Sequence, residues 1–146
     1  KNINTKNLKI EIEDKNKNLI IGGTAVNVGN PHVIFFVNNL DNFDLKKIGP
    51  KLENNELFPE RCNVTIAKIE NKKSITVKVW ERGVGLTKAC GSAACATAFA
   101  GKNSGLNENN VEINFELGVL SISIGTDDYI RMKGPVSEIK NIEIKL

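Results

Sequence analysis

Trp80-Glu81-Arg82-Gly83-Val84-Gly85-Leu86-Thr87-Lys88-Ala89-Cys90-Gly91-Ser92-Ala93-Ala94-Cys95 carries the chain out of a strand and into a helix. Behind it, Ser74–Trp80 alternates with period 2. Ile75, Val77 and Val79 fall on one face and Thr76, Lys78 and Trp80 on the other, the pattern of a half-buried strand. Ahead of it, Ser92–Ala100 is mostly alanine, the strongest helix former, and Gly101 can end the helix. Between the two, Gly83 and Gly85 mark a loop or tight crossing.

Outward from this junction the same two periods recur. Leu8–Glu13 alternates and Leu19–Gly22 can return beside it, with Asp14–Asn18 as the turn. Thr24–Val28 is β-prone, Gly29-Asn30-Pro31-His32 breaks it, and Val33–Val37 is a wholly apolar core strand. Asp41–Asn54 has Leu45, Ile48 and Leu52 at helical spacing, with Asp41 or Asn42 as cap. Gly49-Pro50 interrupts that pattern and predicts two short pieces. Asn63–Glu70, Val111–Phe115, Val119–Ile124 and Tyr129–Met132 are further strands, and Ile142–Leu146 can form a last edge strand. Many short strands with two helical segments, and no strand-helix alternation, predict an α+β fold with a curved, mostly antiparallel sheet.

The 146 residues carry a net charge of +3 and suit one domain or one half of a larger protein. No apolar run reaches membrane-spanning length, so no membrane partner is expected. Charge of mixed sign, without an Arg-rich stripe, excludes a nucleic-acid surface. The abundant asparagine is a compositional bias. Lys1-Asn2-Ile3-Asn4-Thr5 lacks the apolar stretch of a signal peptide. Three cysteines, Cys62, Cys90 and Cys95, fit neither a disulfide scaffold nor a four-ligand zinc site. A reducing, cytoplasmic setting follows as the expectation.

Cys90 is the residue with chemistry. It stands just before a helix, whose unpaired first-turn N–H groups favour a thiolate. Gly91, Ser92 and Ala93 leave those groups open to a carboxylate. Cys95, in register with Phe99, reads as core, and Cys62 is assigned no role. His32, the one histidine, follows a sharply turning loop, where functional residues concentrate. Glu81 and Arg82 end the strand that leads to Cys90 and can form a surface ion pair. No Walker loop, dinucleotide fingerprint or His-Glu-x-x-His occurs, so neither a cofactor nor a metal is expected.

Three blocks, in order, resemble the C-terminal half of diaminopimelate epimerase, a pyridoxal-phosphate-independent family. They are Val28-Gly29-Asn30-Pro31-His32; Leu57-Phe58-Pro59-Glu60-Arg61 with Asn63-Val64; and Trp80–Gly85 with Ala89-Cys90-Gly91. Met132-Lys133-Gly134-Pro135 also fits, and the likeness runs from about Thr24 to Leu146. The resemblance implies a sheet wrapped around a central helix. It divides the chain into residues 1–23, the end of a preceding half; 24–135, the epimerase-like domain; and 136–146, a closing strand that packs on that other half.

The resemblance also implies roles. Cys90 matches one of two catalytic cysteines, and His32 and Glu81 the pair that assists proton transfer. Asn30, Asn63 and Arg82 match groups that hold the distal end of an amino-acid substrate, and Gly91 and Ser92 those that clamp its α-carboxylate. The α-proton is weakly acidic, so one thiolate must remove it from one face while a thiol supplies another from the opposite face. The implied reaction is epimerisation of LL- to meso-diaminopimelate.

Two departures stand against the pattern. Leu86 replaces the usual Glu, and Lys88 an apolar residue, which bears on the substrate. The family's other cysteine, in a Cys-Gly-Asn-Gly context, has no counterpart here, so this chain alone is expected to be inactive and to need a partner half carrying it. A homodimer is a further pairing open to an isolated half. The alternatives are a related racemase or isomerase acting on another amino acid, a non-catalytic small-molecule binding domain of the same fold, and a thiol hydrolase in which Cys90 contacts His32.

Overall fold

Residues 5–138 and Glu143 are described in a computed structural model. The elements, in order, are β1 (Ile10–Glu13), β2 (Leu19–Gly22), β3 (Thr24–Asn27), β4 (Pro31–Phe36), a 3-10 turn (Leu40–Asn42) and α1 (Leu45–Glu53). They continue as β5 (Asn63–Asn71), β6 (Ser74–Glu81), β7 (Gly85–Thr87), α2 (Gly91–Asn103), β8 (Asn110–Phe115), β9 (Gly118–Ile124) and β10 (Ile130–Lys133). The fold is α+β, as expected. β1 and β2 form a separate antiparallel hairpin. The main sheet runs β10-β9-β8-β6-β5-β4-β3, with β7 paired to β6. Two pairings are parallel, β4 with β5 and β6 with β8, and the others are antiparallel.

The sheet separates two cores. On one face the alanines of α2 meet Ile34, Ala67, Ile75, Val77, Val79, Val111, Ile113, Ile122 and Ile124. α2 touches strands from β3 at one edge to β10 at the other. A single helix reaches both edges only if the sheet curls around it. Ala93, Ala94, Ala96, Ala98 and Ala100 are fully buried, because small side chains on every side let the backbone approach all these strands. On the other face Leu45, Ile48 and Leu52 of α1 pack with Ile10, Ile12, Val33, Phe35, Val64 and Ile66. β4 and the first half of β5 are therefore buried on both faces, which is why Val33–Val37 reads as a continuous apolar run.

Four local expectations change. Pro31 and His32 belong to β4 rather than to the preceding loop, since proline is tolerated as the first residue of a strand. Gly49-Pro50 does not divide α1. The residue before Pro50 has no Cβ to clash with its ring, and the freed carbonyl lies on the exposed side. The break falls earlier, at Phe43-Asp44, and Asp44 caps α1 through Lys46 N–H at 3.0 Å. Glu81–Thr87 is a hairpin rather than a crossing, with Glu81 opposite Gly85. Gly101 lies inside α2. Leu106 N–H bonds Gly101 O and Gly105 N–H bonds Lys102 O, the paired closure that needs the positive φ of Gly105, 70°. The closing strand expected at 136–146 falls mostly outside the described residues, and 136–138 carry no regular element.

Gly49 is a close-approach position. A Cβ there would lie 2.5 to 2.8 Å from three ring atoms of Trp80. The ring cannot swing freely, because its Nε1–H donates to Glu53 Oε2 at 2.8 Å. Gly-to-Ala in a helix ordinarily gains about 1 kcal/mol, whereas overpacking costs about 1–3 kcal/mol. Gly49→Ala is therefore expected to lower the thermal or urea midpoint; a raised midpoint would contradict this packing.

Candidate active site

Strand register assembles the site. His32 is the Cα partner of Asn63 across β4 and β5, and Val64 is that of Trp80 across β5 and β6. Side chains alternate along a strand, so His32, Asn63 and Glu81 all project to the α2 face, opposite Val33, Val64 and Trp80. Three neighbouring strands thus place one polar residue each at the same end of the sheet. The hairpin β6–β7 then delivers Cys90 to that end as the N-cap of α2, with extended φ and ψ of −154° and 112°.

A chain of polar contacts links these segments. His32 Nε2 meets Asn30 Oδ1 at 3.0 Å, Asn30 Nδ2 approaches Ser92 Oγ at 3.4 Å, and Ser92 Oγ lies 3.5 Å from Cys90 Sγ. On the flank, Asn63 Oδ1 accepts Arg82 N–H at 2.9 Å while Asn63 Nδ2 donates to Pro31 O at 3.1 Å. Arg82 Nη1 donates to Glu60 O at 2.8 Å. Glu81 makes no ion pair with Arg82 among the described residues; its carboxylate stands instead close enough to Cys90 to oppose ionisation of the thiol. Gly91 is covered by the Met132 thioether, 3.1 Å from where a Cβ would sit.

Burial sets the protonation states. Cys90 is 8% exposed, and its thiol is pushed above the usual range by burial, with Glu81 adding to the shift. Ser92 and the Ala93 amide pull the other way and do not prevail. The thiolate expected from the helix N-terminus alone is thus not the resting form. His32 is fully buried, and burial, followed by the charge of Arg82, brings its pKa down to about 4. It is neutral near pH 7. If Asn30 Oδ1 accepts, Nε2 carries the proton, and Nδ1 is buried without a hydrogen-bond partner among the described residues.

All eight residues singled out from sequence, Asn30, His32, Asn63, Glu81, Arg82, Cys90, Gly91 and Ser92, fall on these adjoining segments. No hydrogen bond joins Cys90 to His32 among the described residues, so the hydrolase pairing lacks its required contact. Cys62 is fully buried, donates to Leu52 O at 3.5 Å, and is pushed up to about 12 by burial and by Glu53. Cys95, expected in the core, packs against the α2 core from its margin rather than inside it. It is half-buried on a groove of about 470 Å³ shared with Ser92, Val26, Phe99 and Tyr129. Leu86 is 47% exposed and, paired with Trp80, faces α1 rather than Cys90. Lys88 also points away, to Glu116 at 2.9 Å.

Glu53 escaped the sequence reading. It is buried at the end of α1 and accepts from Arg61, Trp80 and Gly83. The one available signal was its place in the last helical turn, where a negative charge is disfavoured.

A family model described as diaminopimelate epimerase matches residues 24–139. The chain is 62% identical to the diaminopimelate epimerase of Pelagibacter ubique (strain HTCC1062) over 146 residues, all of this chain and 53% of that protein. It is 49% identical to that of Bartonella bacilliformis over 141 residues, 91% of this chain and 50% of that protein. It spans about half the length of the curated relatives it matches. Among solved structures, a phenazine biosynthesis protein of the PhzF family from Enterococcus faecalis aligns with a TM-score of 0.51 at 15% identity, over 67% of this chain and 35% of the other. A PhzF-family protein from Bacillus anthracis aligns with a TM-score of 0.51 at 21% identity, over 73% and 34%. At these identities the likeness is one of fold.

Proposed function

Because the chain belongs to the diaminopimelate epimerase family, we propose that it supplies one half, the C-terminal one, of a two-thiol site that epimerises LL-diaminopimelate to meso-diaminopimelate. Such a reaction serves lysine and cell-wall precursor synthesis. The observation that carries this reading is the joining of Asn30, His32, Ser92 and Cys90, from separate segments, into one contact chain beside Glu81.

In this reading a thiolate on the other half takes the α-proton, and the electron pair spreads into the α-carboxylate. The first-turn N–H groups at Gly91 and Ser92 receive that carboxylate and the charge building on it. Cys90, held as a thiol by burial, gives its proton to the opposite face of the same carbon and becomes the thiolate. The reverse reaction exchanges the roles, so protons balance over each direction. Glu81 and neutral His32 adjust the proton positions around the thiol and the substrate ammonium, while Asn30, Asn63 and Arg82 hold the distal amino-acid end. The isolated chain lacks the opposing base and is inactive by itself. Leu86 and Lys88 lie off the Cys90 cluster, which favours the unchanged substrate over another amino acid.

The test is deuterium incorporation. The full-length gene product in D2O with LL-diaminopimelate is expected to place deuterium at the α-carbon and to yield the meso isomer. Binding of the amino acid without exchange would favour the non-catalytic alternative and defeat this reading.

A further inference from the structure

Glu53 lies on the α1 side of the sheet with Trp80, away from the face that carries Cys90, yet its carboxylate reaches the site's supports. Oε1 accepts from Gly83 N–H at 2.9 Å and from Arg61 Nη1 at 3.0 Å; Oε2 accepts from Trp80 Nε1 at 2.8 Å. Its own backbone O accepts Cys62 N–H at 3.2 Å. Two arms therefore leave this one residue. One is Arg61-Cys62, leading into Asn63; the other is Gly83, next to Arg82. The arms meet again where Asn63 Oδ1 accepts Arg82 N–H. The backbone of the Arg82-Gly83 turn is gripped at both nitrogens, by Asn63 and by Glu53.

We propose that Glu53 is a positioning residue that sets Arg82 and Asn63 to receive the distal end of the substrate. A packing role alone explains it poorly. Glu53 is 6% exposed at a helix C-terminus, where both burial and the helix dipole disfavour a carboxylate. An apolar residue would fill that space at lower cost. Three donors converging on two oxygens are instead what fixes a turn in one geometry. The hydrogen bond from Trp80 and that from Gly83 outweigh burial and hold Glu53 ionised, below the usual carboxylate range. This inference rests on the epimerase reading for its substrate and on the geometry alone for the grip.

The test uses the full-length protein. Glu53→Gln keeps the shape, removes the charge and leaves only one side-chain oxygen to accept. It is expected to lower kcat/KM for diaminopimelate about ten- to hundredfold, chiefly through KM. In an Arg82→Gln background the same change is expected to cost less than about threefold, because its target is already gone. Glu53→Asp, which keeps the charge, should fall between, and it carries the test if Glu53→Gln does not fold. Equal factors in both backgrounds, or a lower melting point with KM unchanged, would overturn the proposal. If the wild type proves inert toward diaminopimelate, the functional reading fails. The grip is then judged by NMR: Glu53→Gln must shift the Trp80 indole N–H resonance and speed exchange of the Gly83 amide. An unmoved indole signal and a still-protected amide would end it.

Discussion

Replacing Cys90 with Ala in the full-length protein is expected to abolish epimerisation of LL-diaminopimelate to the meso isomer. General acid-base groups contribute about 10²–10⁴-fold each. In a two-thiol exchange the loss of one thiol also strands the other, because no group is left to complete the transfer across the carbon, so the fall should reach at least the top of that range. The structure makes a second outcome specific. Burial holds Cys90 as a thiol, so in the proposed exchange it would act as the acid in one direction and as the base only after giving up its proton. Cys90→Ser keeps a hydroxyl beside Ser92 Oγ and the helix amides, yet a hydroxyl is a far weaker acid than a thiol. The serine variant should bind substrate nearly as the wild type does while failing to turn it over. Substrate binding by calorimetry together with exchange by NMR separates the two. Epimerisation that survives Cys90→Ala would remove Cys90 from the chemistry and, with it, the assignment of the whole cluster.

How much of this was legible in the sequence depends on the range of the interaction concerned. Ser74–Trp80 and the alanine run announced themselves because a period of two and helix propensity are local properties. The three polar residues of the α2 face could be collected only through resemblance, because register across β4, β5 and β6 is fixed by pairings between distant segments. His32 was placed in a loop because Gly29-Asn30-Pro31 reads as a breaker. In the fold Pro31 opens a strand, and the histidine behind it is driven inward with its neighbours. That single displacement sets its chemistry, because burial makes it a neutral ring near pH 7. Glu53 was hard to single out for a related reason. Its meaning lies in three donors brought from three other segments, two of them 27 and 30 residues away, and a Glu in the last helical turn is only a faint local signal. The helix N-terminus misled in the opposite sense. It was read correctly as a local feature, but the burial that outweighs it comes from the surrounding strands.

The buried His32 should make stability depend on pH, and the part of its window above pH 5 is clear of the carboxylates. In the folded chain its pKa is about 4, against 6.5 for an ordinary histidine. Between those values the unfolded chain binds a proton that the folded chain does not. Stability must then rise with pH across the window and be lost as pH falls from 6.5 toward 4. At 1.36 kcal/mol per unit the full interval amounts to about 3 kcal/mol, and the part above pH 5 to about 2 kcal/mol. That upper part is the useful one. Glu53 and Asp14 are held below the usual carboxylate range and lose their contribution only as the pH drops into the acid region, where unfolded carboxylates take up protons. Urea midpoints measured at pH 5 and pH 6.5 should therefore separate clearly in the wild type. His32→Gln, which has nothing to titrate there, should start less stable and show nearly equal midpoints at the two pH values. A slope that persists in the glutamine variant would mean that another group takes up the proton and that His32 is not held neutral by its burial. A wild type with no slope would mean that water reaches the ring. Either result would also withdraw the neutral Nε2–H tautomer from the contact chain that runs through Asn30 and Ser92 to Cys90, since a protonated ring beside Arg82 could no longer stand there uncompensated.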